Sequence, residues 1–328
     1  MNYVILDLEF NGAYSKKKHR FVSEIIEFGA VKCDEKLNII DTFSSLVTPQ
    51  ISKKLNSHVA KLTHIRMDEL QQSNNTFTHV LSRFRKFLGD ATLMSWGTSD
   101  ILVLRENYQY YFEEEEMPFV SAYVNLQSYC ERALDYHDAS HQMGLSTCAE
   151  QLGIGYDDGE LHRALTDAEL TSLCFQKLYQ PELFEGYVMP CDADFYQRIT
   201  FKNYNICDPK SPDIDKREMY CLCDRCGHKA WRRGKWKVKN KSFRAQFRCL
   251  RCRLDFEGRI IFKMTYDGVK VIRSSVELPP KAESAPPQPK QAQKPDAQLK
   301  AFSAPDPVFL PSDAVRKPKL TDQFLSDD

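Results

Sequence analysis

Two acidic residues follow the first apolar run of the chain. The run Tyr3–Leu6 predicts a buried strand, and Asp7 and Glu9 come directly after it, two positions apart. Because residues two apart in a strand share a face, both carboxylates can reach one side of a sheet and share a metal ion. Asp-x-Glu is common at strand ends, so this pair gains meaning only together with further ligands.

Further residues of the required kind occur later in the chain. Asp100 follows the segment 95–99, and His162 stands five positions before Asp167 at the start of an apolar-striped helix. Each has a structural alternative, since Asp favours helix starts and His often packs in a partly buried place. Carboxylates that converge repel one another unless divalent cations cancel their charge. The conjunction therefore favours a metal site.

The chemistry of such a site is phosphodiester hydrolysis. Carboxylate oxygens suit Mg²⁺ or Mn²⁺, and two ions about 3.5–4 Å apart can stabilise both the attacking water and the departing oxygen. A neutral imidazole nearby can take the proton from the water. The sequence predicts a two-metal phosphodiesterase whose ligands are Asp7, Glu9, Asp100 and Asp167 and whose general base is His162.

The surrounding apolar patterns predict a layered α/β domain that positions these residues. Strands are expected first, and helices afterwards. The expected strands are 24–33, 39–47 and 92–96, and the expected helices are 77–88, 126–134, 145–152 and 162–179.

The segments that carry the acidic residues resemble, in order and spacing, the motifs of the DEDDh group of DnaQ-like 3′-to-5′ exonucleases. The resemblance covers about residues 1–180. Asp-Leu-Glu-Phe at 7–10, the strand 25–31 and Ser-Trp-Gly at 95–97 are most similar to the Eri-type RNA-trimming branch, which includes the KapD proteins. The resemblance implies an RNase H-like fold with a central mixed sheet flanked by helices. It also implies hydrolysis from a free 3′ end that releases nucleoside monophosphates.

The same resemblance implies three contacts with the substrate. Residues after the first motif approach the terminal nucleotide in this family, which places Phe10 and Asn11 there. Phe10 has a place in the core as its alternative. His64 lies in a segment where relatives often have a short turn that touches the last base and sugar, and it replaces the Gly commonly seen.

The cysteines predict a second kind of metal site. Cys223, Cys226, Cys249 and Cys252 form two C-x2-C pairs, the spacing that lets four thiolates close a tetrahedral structural zinc site in a zinc-ribbon-like module. Cys221 is a rival ligand; Cys223 is preferred because C-x2-C followed by Gly is typical of a zinc knuckle. Eleven cysteines without a signal peptide or an apolar spanning stretch favour a reducing, cytoplasmic location.

The net charge of zero conceals an asymmetry between two parts of the chain. Residues 216–273 contain 18 Lys and Arg against 5 Asp and Glu, while residues 1–215 contain 20 against 32. Cations alternate with aromatic rings in the basic part, as expected where phosphates are bound and unpaired bases stack. The alternatives are a solvated surface or docking onto the acidic domain. The predicted contacts with nucleic acid are Trp231, Arg232, Arg233, Lys235, Trp236 and Lys237.

These patterns predict an exonuclease domain at 1–180, a connector at 181–215, a basic zinc-ribbon-like domain at 216–277 and a disordered tail at 278–328. The tail holds 10 of the 16 prolines. The apolar residues among acids at 320–328 are either a frayed terminus, which is preferred, or a short partner-docking motif.

The leading function is a 3′-to-5′ exonuclease with two Mg²⁺ or Mn²⁺ ions and one structural Zn²⁺. It acts on single-stranded nucleic acid with a free 3′ end, and RNA is preferred on the Eri-type resemblance. The alternatives are a DNA proofreading or repair exonuclease and a KapD-like regulatory protein that acts through partner binding. The sequence leaves the choice between RNA and DNA and the oligomeric state open.

Overall fold

The structure is a computed structural model that describes residues 2–136, 142–156 and 162–278. The predicted Pro-rich tail and its docking motif lie outside the described residues, apart from Leu278. None of the helices in these ranges has the length and the apolar character needed to cross a lipid bilayer.

The first sheet has six strands in the order β3-β2-β1-β4-β5-β6. Its strand β1 pairs antiparallel with β2 and parallel with β4, so the sheet is mixed, as predicted. The strands are β1 (Tyr3–Ser15), β2 (Arg20–Cys33), β3 (Ile39–Leu46), β4 (Thr92–Ser95), β5 (Ala122–Asn125) and β6 (Met189–Pro190).

Helices cover both faces of this sheet and confirm the predicted α/β fold. Alternate residues of β1 enter two different cores: Leu6 packs with Phe84 on one face, and Ile5 packs with Phe175 on the other. The α-helices of the described residues are α1 (Ser57–Thr63), α2 (Met67–Ser73), α3 (Phe77–Leu88), α4 (Ser99–Phe112), α5 (Leu126–Ala133), α6 (Leu145–Gln151), α7 (Ala164–Leu178), α8 (Pro181–Glu185) and α9 (Ala193–Thr200).

Two elements near the acidic residues differ from expectation. Strand β1 continues to Ser15, well beyond the predicted apolar run, and forms a long hairpin with β2. Helix α7 begins at Ala164 rather than at His162, which leaves His162 in the turn before the helix. By contrast, α3 has the predicted bounds and ends at Gly89, whose φ of +57° suits a residue without a β-carbon.

A second sheet is formed almost wholly by the basic part of the chain, and a short strand from the segment 181–215 joins it. Five fully buried side chains, four of them phenylalanines, make its core: Phe243, Phe247, Phe256, Ile260 and Phe262. The strands are β7 (Tyr204–Ile206), β8 (Trp231–Arg232), β9 (Lys237–Lys239), β10 (Ser242–Arg248), β11 (Asp255–Thr265) and β12 (Gly268–Glu277). The same segment also sends Phe195 and Tyr196 of α9 into the core of the first sheet.

Candidate active site

Three acidic side chains converge beside β1. Asp7 and Glu9 come from β1 and Asp167 from the first turn of α7, and one carboxylate oxygen of each lies within 4.8 Å of the others. The Oδ1 atom of Asp167 is buried and has no hydrogen-bond partner among the described residues. Because a buried acceptor without a partner is costly, this oxygen is suited to a cation that the protein itself does not supply.

The charges of the cluster are poorly compensated by the protein. Burial raises the pKa of Asp7 well above its usual range, and the charges of Asp100 and Asp167 raise it further. Burial, followed by the charge of Asp167, also raises the pKa of Glu9 to about 8. A site that holds its carboxylates so close favours protons or metal cations between them.

Asp100 lies at the side of this cluster. It stands in the first turn of α4, is only 5% exposed, and its Oδ1 accepts a hydrogen bond of 3.1 Å from the backbone N–H of Leu8. Burial raises the pKa of Asp100 to about 7 although that hydrogen bond opposes the rise. The structure thus brings three of the four predicted ligands within 4.8 Å and places Asp100 next to them.

His162 is an exposed residue in the turn before α7, with a left-handed φ of +68°. Burial raises the pKa of Asp167, while the charge and the backbone N–H of His162 both act to lower it. A left-handed backbone is unfavourable for a residue with a β-carbon, and such conformations often occur at functional sites. His162 is thus an exposed residue whose charge and backbone N–H act on the carboxylate of Asp167.

Sequence reasoning assigned no role to Glu27, which is 1% exposed and lies opposite Glu9 in the β1–β2 register. Its carboxylate accepts hydrogen bonds from both Nε and Nη2 of Arg163, the latter at 2.6 Å, and from the Ala164 backbone N–H at 3.2 Å. This bidentate pair attaches the start of α7 to β2. The feature of the sequence that could have identified Glu27 is its position in the strand 25–31, directly before Phe28 and Gly29.

Gly29 allows α7 to approach the sheet at the same point. A β-carbon on Gly29 would lie 2.0 Å from the backbone carbon of Ala164 and 2.0 Å from the backbone nitrogen of Leu165. Neither atom belongs to a flexible side chain, so only glycine fits here. The contact fixes the height of Asp167 above Asp7 and Glu9.

The three predicted substrate residues near the site differ in their surroundings. Phe10 is half-buried against the core, which leaves part of the ring exposed. Asn11 is fully buried: its side chain donates to the Lys54 carbonyl at 3.2 Å and accepts from the Asn56 N–H at 2.9 Å. The Asn11 amide thus has partners within the protein, and its contact with the terminal nucleotide stays a prediction. His64 is exposed at the end of α1 and has a φ of +57°, a conformation that glycine adopts easily.

The cysteine cluster is the second candidate metal site. The sulfur atoms of Cys223, Cys226, Cys249 and Cys252 all lie within 4.8 Å of one another, and those of Cys226 and Cys249 are 3.6 Å apart. Gly227, with φ +68°, follows the first pair. Hydrogen bonding from the Cys252 backbone N–H lowers the pKa of Cys249 to about 7, which favours the thiolate. The geometry fits a closed four-sulfur site.

The rival cysteine has another environment. Cys221 is 2% exposed and belongs to the phenylalanine core of the second sheet. The structure thus separates it from the four clustered sulfurs.

The predicted basic contacts lie along one side of the second sheet. Trp231 is 67% exposed, and the guanidinium of Arg232 lies 5.6 Å from the centre of the Trp236 ring. Trp236 is half-buried, and its ring packs 5.5 Å from Phe247. Arg233 lies 3.5 Å from Asp255, whereas Lys235 and Lys237 are exposed.

An open groove of about 490 Å³ is lined by Trp231, Arg232 and Trp236 together with Tyr220 and Lys229. The ammonium of Lys229 lies 4.5 Å from the centre of the Tyr220 ring. Sequence reasoning included Lys229 in the basic surface but did not single out Tyr220.

Comparison with known proteins agrees with the predicted fold class and enzyme class. The RNase_T exonuclease family model matches residues 4–175, more than half of the 328 residues. The chain therefore belongs to this exonuclease family, and the predicted enzyme class, a nucleic-acid hydrolase that uses divalent metal ions, is confirmed.

Individual relatives are distant. The chain is 26% identical over 204 residues to the DNA polymerase III subunit epsilon of Aquifex aeolicus, covering 59% of this chain and 86% of that protein. A 3′-exonuclease solved in a study of histone mRNA stem-loop recognition is 22% identical, with 58% of this chain and 91% of that chain covered and a TM-score of 0.47. Cell-death related nuclease 4 is 17% identical, with 64% and 69% covered and a TM-score of 0.47.

Proposed function

We propose that the protein removes nucleotides one at a time from the 3′ end of single-stranded nucleic acid, with RNA as the first candidate substrate. The observation that carries this proposal is the convergence of Asp7, Glu9 and Asp167 around a buried Asp167 oxygen that lacks a partner among the described residues. An exonuclease family member needs such a cluster for chemistry, whereas a scaffold that only binds partners gains nothing from its electrostatic cost.

Divalent cations fit these residues. Asp7, Glu9 and Asp167 would hold them, and Asp100 lies beside the same carboxylates. Oxygen ligands alone favour Mg²⁺ or Mn²⁺ over softer metals. When bound, such ions supply Lewis-acid stabilisation of the charge that develops on the phosphate.

His162 is the general base in this proposal. Its ring is exposed at the turn before α7, so it can accept a proton from a water molecule that attacks the terminal phosphodiester. The Glu27–Arg163 pair holds the neighbouring residue, which limits the movement of this turn. Phe10, which directly follows Glu9, and His64 at the end of α1 retain exposed surface, and in this proposal they contact the terminal nucleotide.

RNA is the first candidate substrate because the motifs at 7–10 and 95–97 are similar to those of the Eri-type branch. DNA is the second candidate, because the relative that is 26% identical is a subunit of a DNA polymerase. A group that reads the 2′-hydroxyl would separate the two.

The second sheet has a binding role in the proposal. Four cysteines would hold one structural Zn²⁺, which compensates for a small core. The exposed cations and Trp231 would then hold a single strand by its phosphates and bases. This assigns Trp231, Arg232, Lys235 and Lys237 to substrate, with Arg233 partly engaged by Asp255.

The test uses the full-length protein and four substrates: single-stranded RNA and DNA of one sequence, each labelled at the 5′ or the 3′ end. With Mg²⁺ or Mn²⁺, the 3′ label should leave at once as a nucleoside monophosphate, while the 5′-labelled strand shortens stepwise. Omission of both metals should stop the reaction. Release of the 5′ label first, or no hydrolysis of either sugar, would overturn the proposal.

A further inference from the structure

The β1–β2 hairpin ends in an unusual cluster of side chains, which we call the basic arm (residues 14–21). Five consecutive residues at its turn are basic or imidazole-bearing: Lys16, Lys17, Lys18, His19 and Arg20. Tyr14 and Phe21 face each other across the hairpin on either side of this turn. The arm belongs to the part of the chain in which acidic residues outnumber basic ones by 32 to 20, so its local charge opposes its surroundings.

Two of the cations fix the arm to helix α4. The Arg20 guanidinium lies 2.8 Å from the Glu106 carboxylate, which also accepts the Ser23 backbone N–H at 2.9 Å. The Lys17 ammonium lies 3.3 Å from Glu113 and 5.6 Å from the centre of the Tyr110 ring. These contacts hold the hairpin end in one position.

The remaining lysines are available to a ligand. Lys16 is exposed and Lys18 is half-exposed, and neither has an ion pair with a described residue. The side chains next to these two ammonium groups therefore determine which kind of ligand the arm can bind.

The aromatic pair beside them is also exposed. Phe21 is 72% exposed and Tyr14 is 53% exposed, and their rings meet edge to face with centroids 5.4 Å apart. Phe21 has the highest exposure of the large hydrophobic side chains among the described residues. Cations next to exposed rings are the combination that binds unpaired bases and their phosphates together.

The position of the arm relates it to the carboxylates. Tyr14 stands five residues after Glu9 on the same continuous strand, which spans about 17 Å at roughly 3.3 Å per residue. The strand therefore connects the candidate catalytic cluster with the basic arm, with a β-bulge between Glu9 and Phe10. A ligand that occupies both must be a polyanion several nucleotides long.

We propose that the basic arm is a second nucleic-acid binding surface, which holds the single strand several nucleotides before the 3′ end that lies at the carboxylates. Lys16 and Lys18 contact phosphates, and Phe21 with Tyr14 stacks against an unpaired base. This inference rests on the proposed function, because it takes the ligand to be the substrate strand. It is separate from the basic surface of the second sheet.

The proposal predicts that binding depends on strand length. A trinucleotide can fill the carboxylate site but is too short to reach the arm, whereas a strand of fifteen nucleotides can occupy both. The arm variant Lys16→Ala/Lys18→Ala should therefore weaken binding of the 15-mer and leave binding of the trinucleotide unchanged.

The matched control removes the same charge away from the arm. Lys36 lies in the β2–β3 turn and Lys86 in the last turn of α3, and both are exposed. Binding is measured by fluorescence anisotropy with labelled oligonucleotides on full-length protein that also carries Asp167→Asn, with Ca²⁺ in place of Mg²⁺, so that cations compensate the carboxylates while hydrolysis is suppressed.

The expected result is a change in salt dependence. Log affinity falls as log salt concentration rises, and removal of one ion pair between the protein and a phosphate of a single strand makes this slope about 0.7 less steep. The arm variant should therefore have a slope about 1.4 less steep, and Lys36→Ala/Lys86→Ala should change the slope very little. Phe21→Ser should weaken the 15-mer about 5-fold or more through the loss of stacking, with little change in the salt slope.

Three outcomes would overturn the proposal: an unchanged salt slope in the arm variant, an equal loss for the control variant, or an equal loss for the trinucleotide. If the arm binds a protein partner instead of nucleic acid, the salt slope of the arm variant should be unchanged. Hydrolysis is measured in parallel with protein that retains Asp167. If this protein is active but the arm variant binds the 15-mer as the parent protein does, only the proposal for the arm is rejected. If this protein does not hydrolyse the strand, the proposed function is rejected.

Discussion

The two candidate metal sites of this protein are assembled in opposite ways. The four cysteines come from one segment of thirty residues, 223–252, whereas Asp7 and Asp167 are brought together from positions 160 residues apart in the chain. Both sets nevertheless place their ligand atoms within 4.8 Å. The spacing along the chain therefore determines the first site, and helix-to-sheet packing determines the second.

The sites also differ in what holds them together without metal. The carboxylate cluster repels itself, as the raised pKa values of Asp7 and Glu9 indicate, and is held by a sheet with a core on each face. The cysteine cluster belongs to a region with a single core, which has fewer buried residues than either core of the first sheet. We expect metal to be needed for chemistry at the carboxylates and for folding at the cysteines.

The largest expected effect is the loss of the second sheet when a cysteine ligand is removed. A structural zinc site contributes about 10–16 kcal/mol of apparent binding free energy, so Cys223→Ser should release the zinc and unfold this region. Zinc content per chain and protease sensitivity of residues 216–277 provide the measurement. Cys221→Ser is the control and should keep its zinc, since Cys221 lies in the core. If Cys221→Ser releases the zinc and Cys223→Ser keeps it, Cys221 is the zinc ligand and Cys223 is not.

A smaller but still large effect is expected at the carboxylate site. Asp167→Asn keeps the shape of the side chain but removes one charge, so several kcal/mol of transition-state stabilisation should disappear. Since about 1.36 kcal/mol corresponds to a factor of ten, we expect turnover to fall roughly 10²- to 10³-fold. Initial rates with labelled RNA are compared with those of Asp90→Asn, an exposed residue after α3. Comparable rates for both variants would remove Asp167 from the catalytic set.

Sequence patterns predicted the local features of both sites and missed the packing between distant segments. The knuckle cysteines and helix α3 follow from short-range spacing, so each appeared where it was expected. The Glu27–Arg163 pair joins residues 136 positions apart, and no local pattern indicates its partner. The basic arm was missed for the same reason, because nothing in residues 16–20 indicates that β1 extends so far past Glu9.

Asn11 shows what the sequence could not indicate about a residue next to the site. Its position after the first motif placed it near the substrate, and the structure adds that its amide is buried between Lys54 and Asn56. The side chain attaches the segment before α1 to β1. No local pattern indicates these partners, because they lie more than forty positions away in the chain.

The contact between α7 and the sheet provides a third test. Gly29→Ala places a methyl group 2.0 Å from backbone atoms of Ala164 and Leu165, so α7 must shift away from β2. Overpacking of this kind costs about 1–3 kcal/mol, and more where backbone must move. We expect a lower melting temperature for the first domain together with reduced turnover, because Asp167 moves with the helix.

The control for this change is Gly12→Ala in the same hairpin. No atom lies within 4 Å of the β-carbon that it would add. Urea unfolding and initial rates should be nearly unchanged in Gly12→Ala. If Gly29→Ala unfolds at the same urea concentration as the wild type, the close approach of α7 is not needed.

The smallest expected effect concerns pH. The pKa of Glu9 is about 8 in the folded protein without metal, above its ordinary value of 4.5, so the folded state binds the proton more tightly than the unfolded state. Stability therefore falls as pH rises from about 4.5 to about 8, and it is greatest where Glu9 is protonated. Asp7 and Asp100, whose pKa values are also raised, act in the same direction.

Melting temperatures of zinc-loaded protein without added Mg²⁺ should decrease between about pH 5 and pH 8. Saturating Mg²⁺ should flatten this dependence, because bound cations replace the protons between the carboxylates. Glu9→Gln should flatten it as well, through the removal of one of the titrating groups. A melting temperature that rises over this range in wild-type protein without Mg²⁺ would mean that the carboxylates are compensated by groups of the protein itself, in contrast to the orphaned oxygen of Asp167.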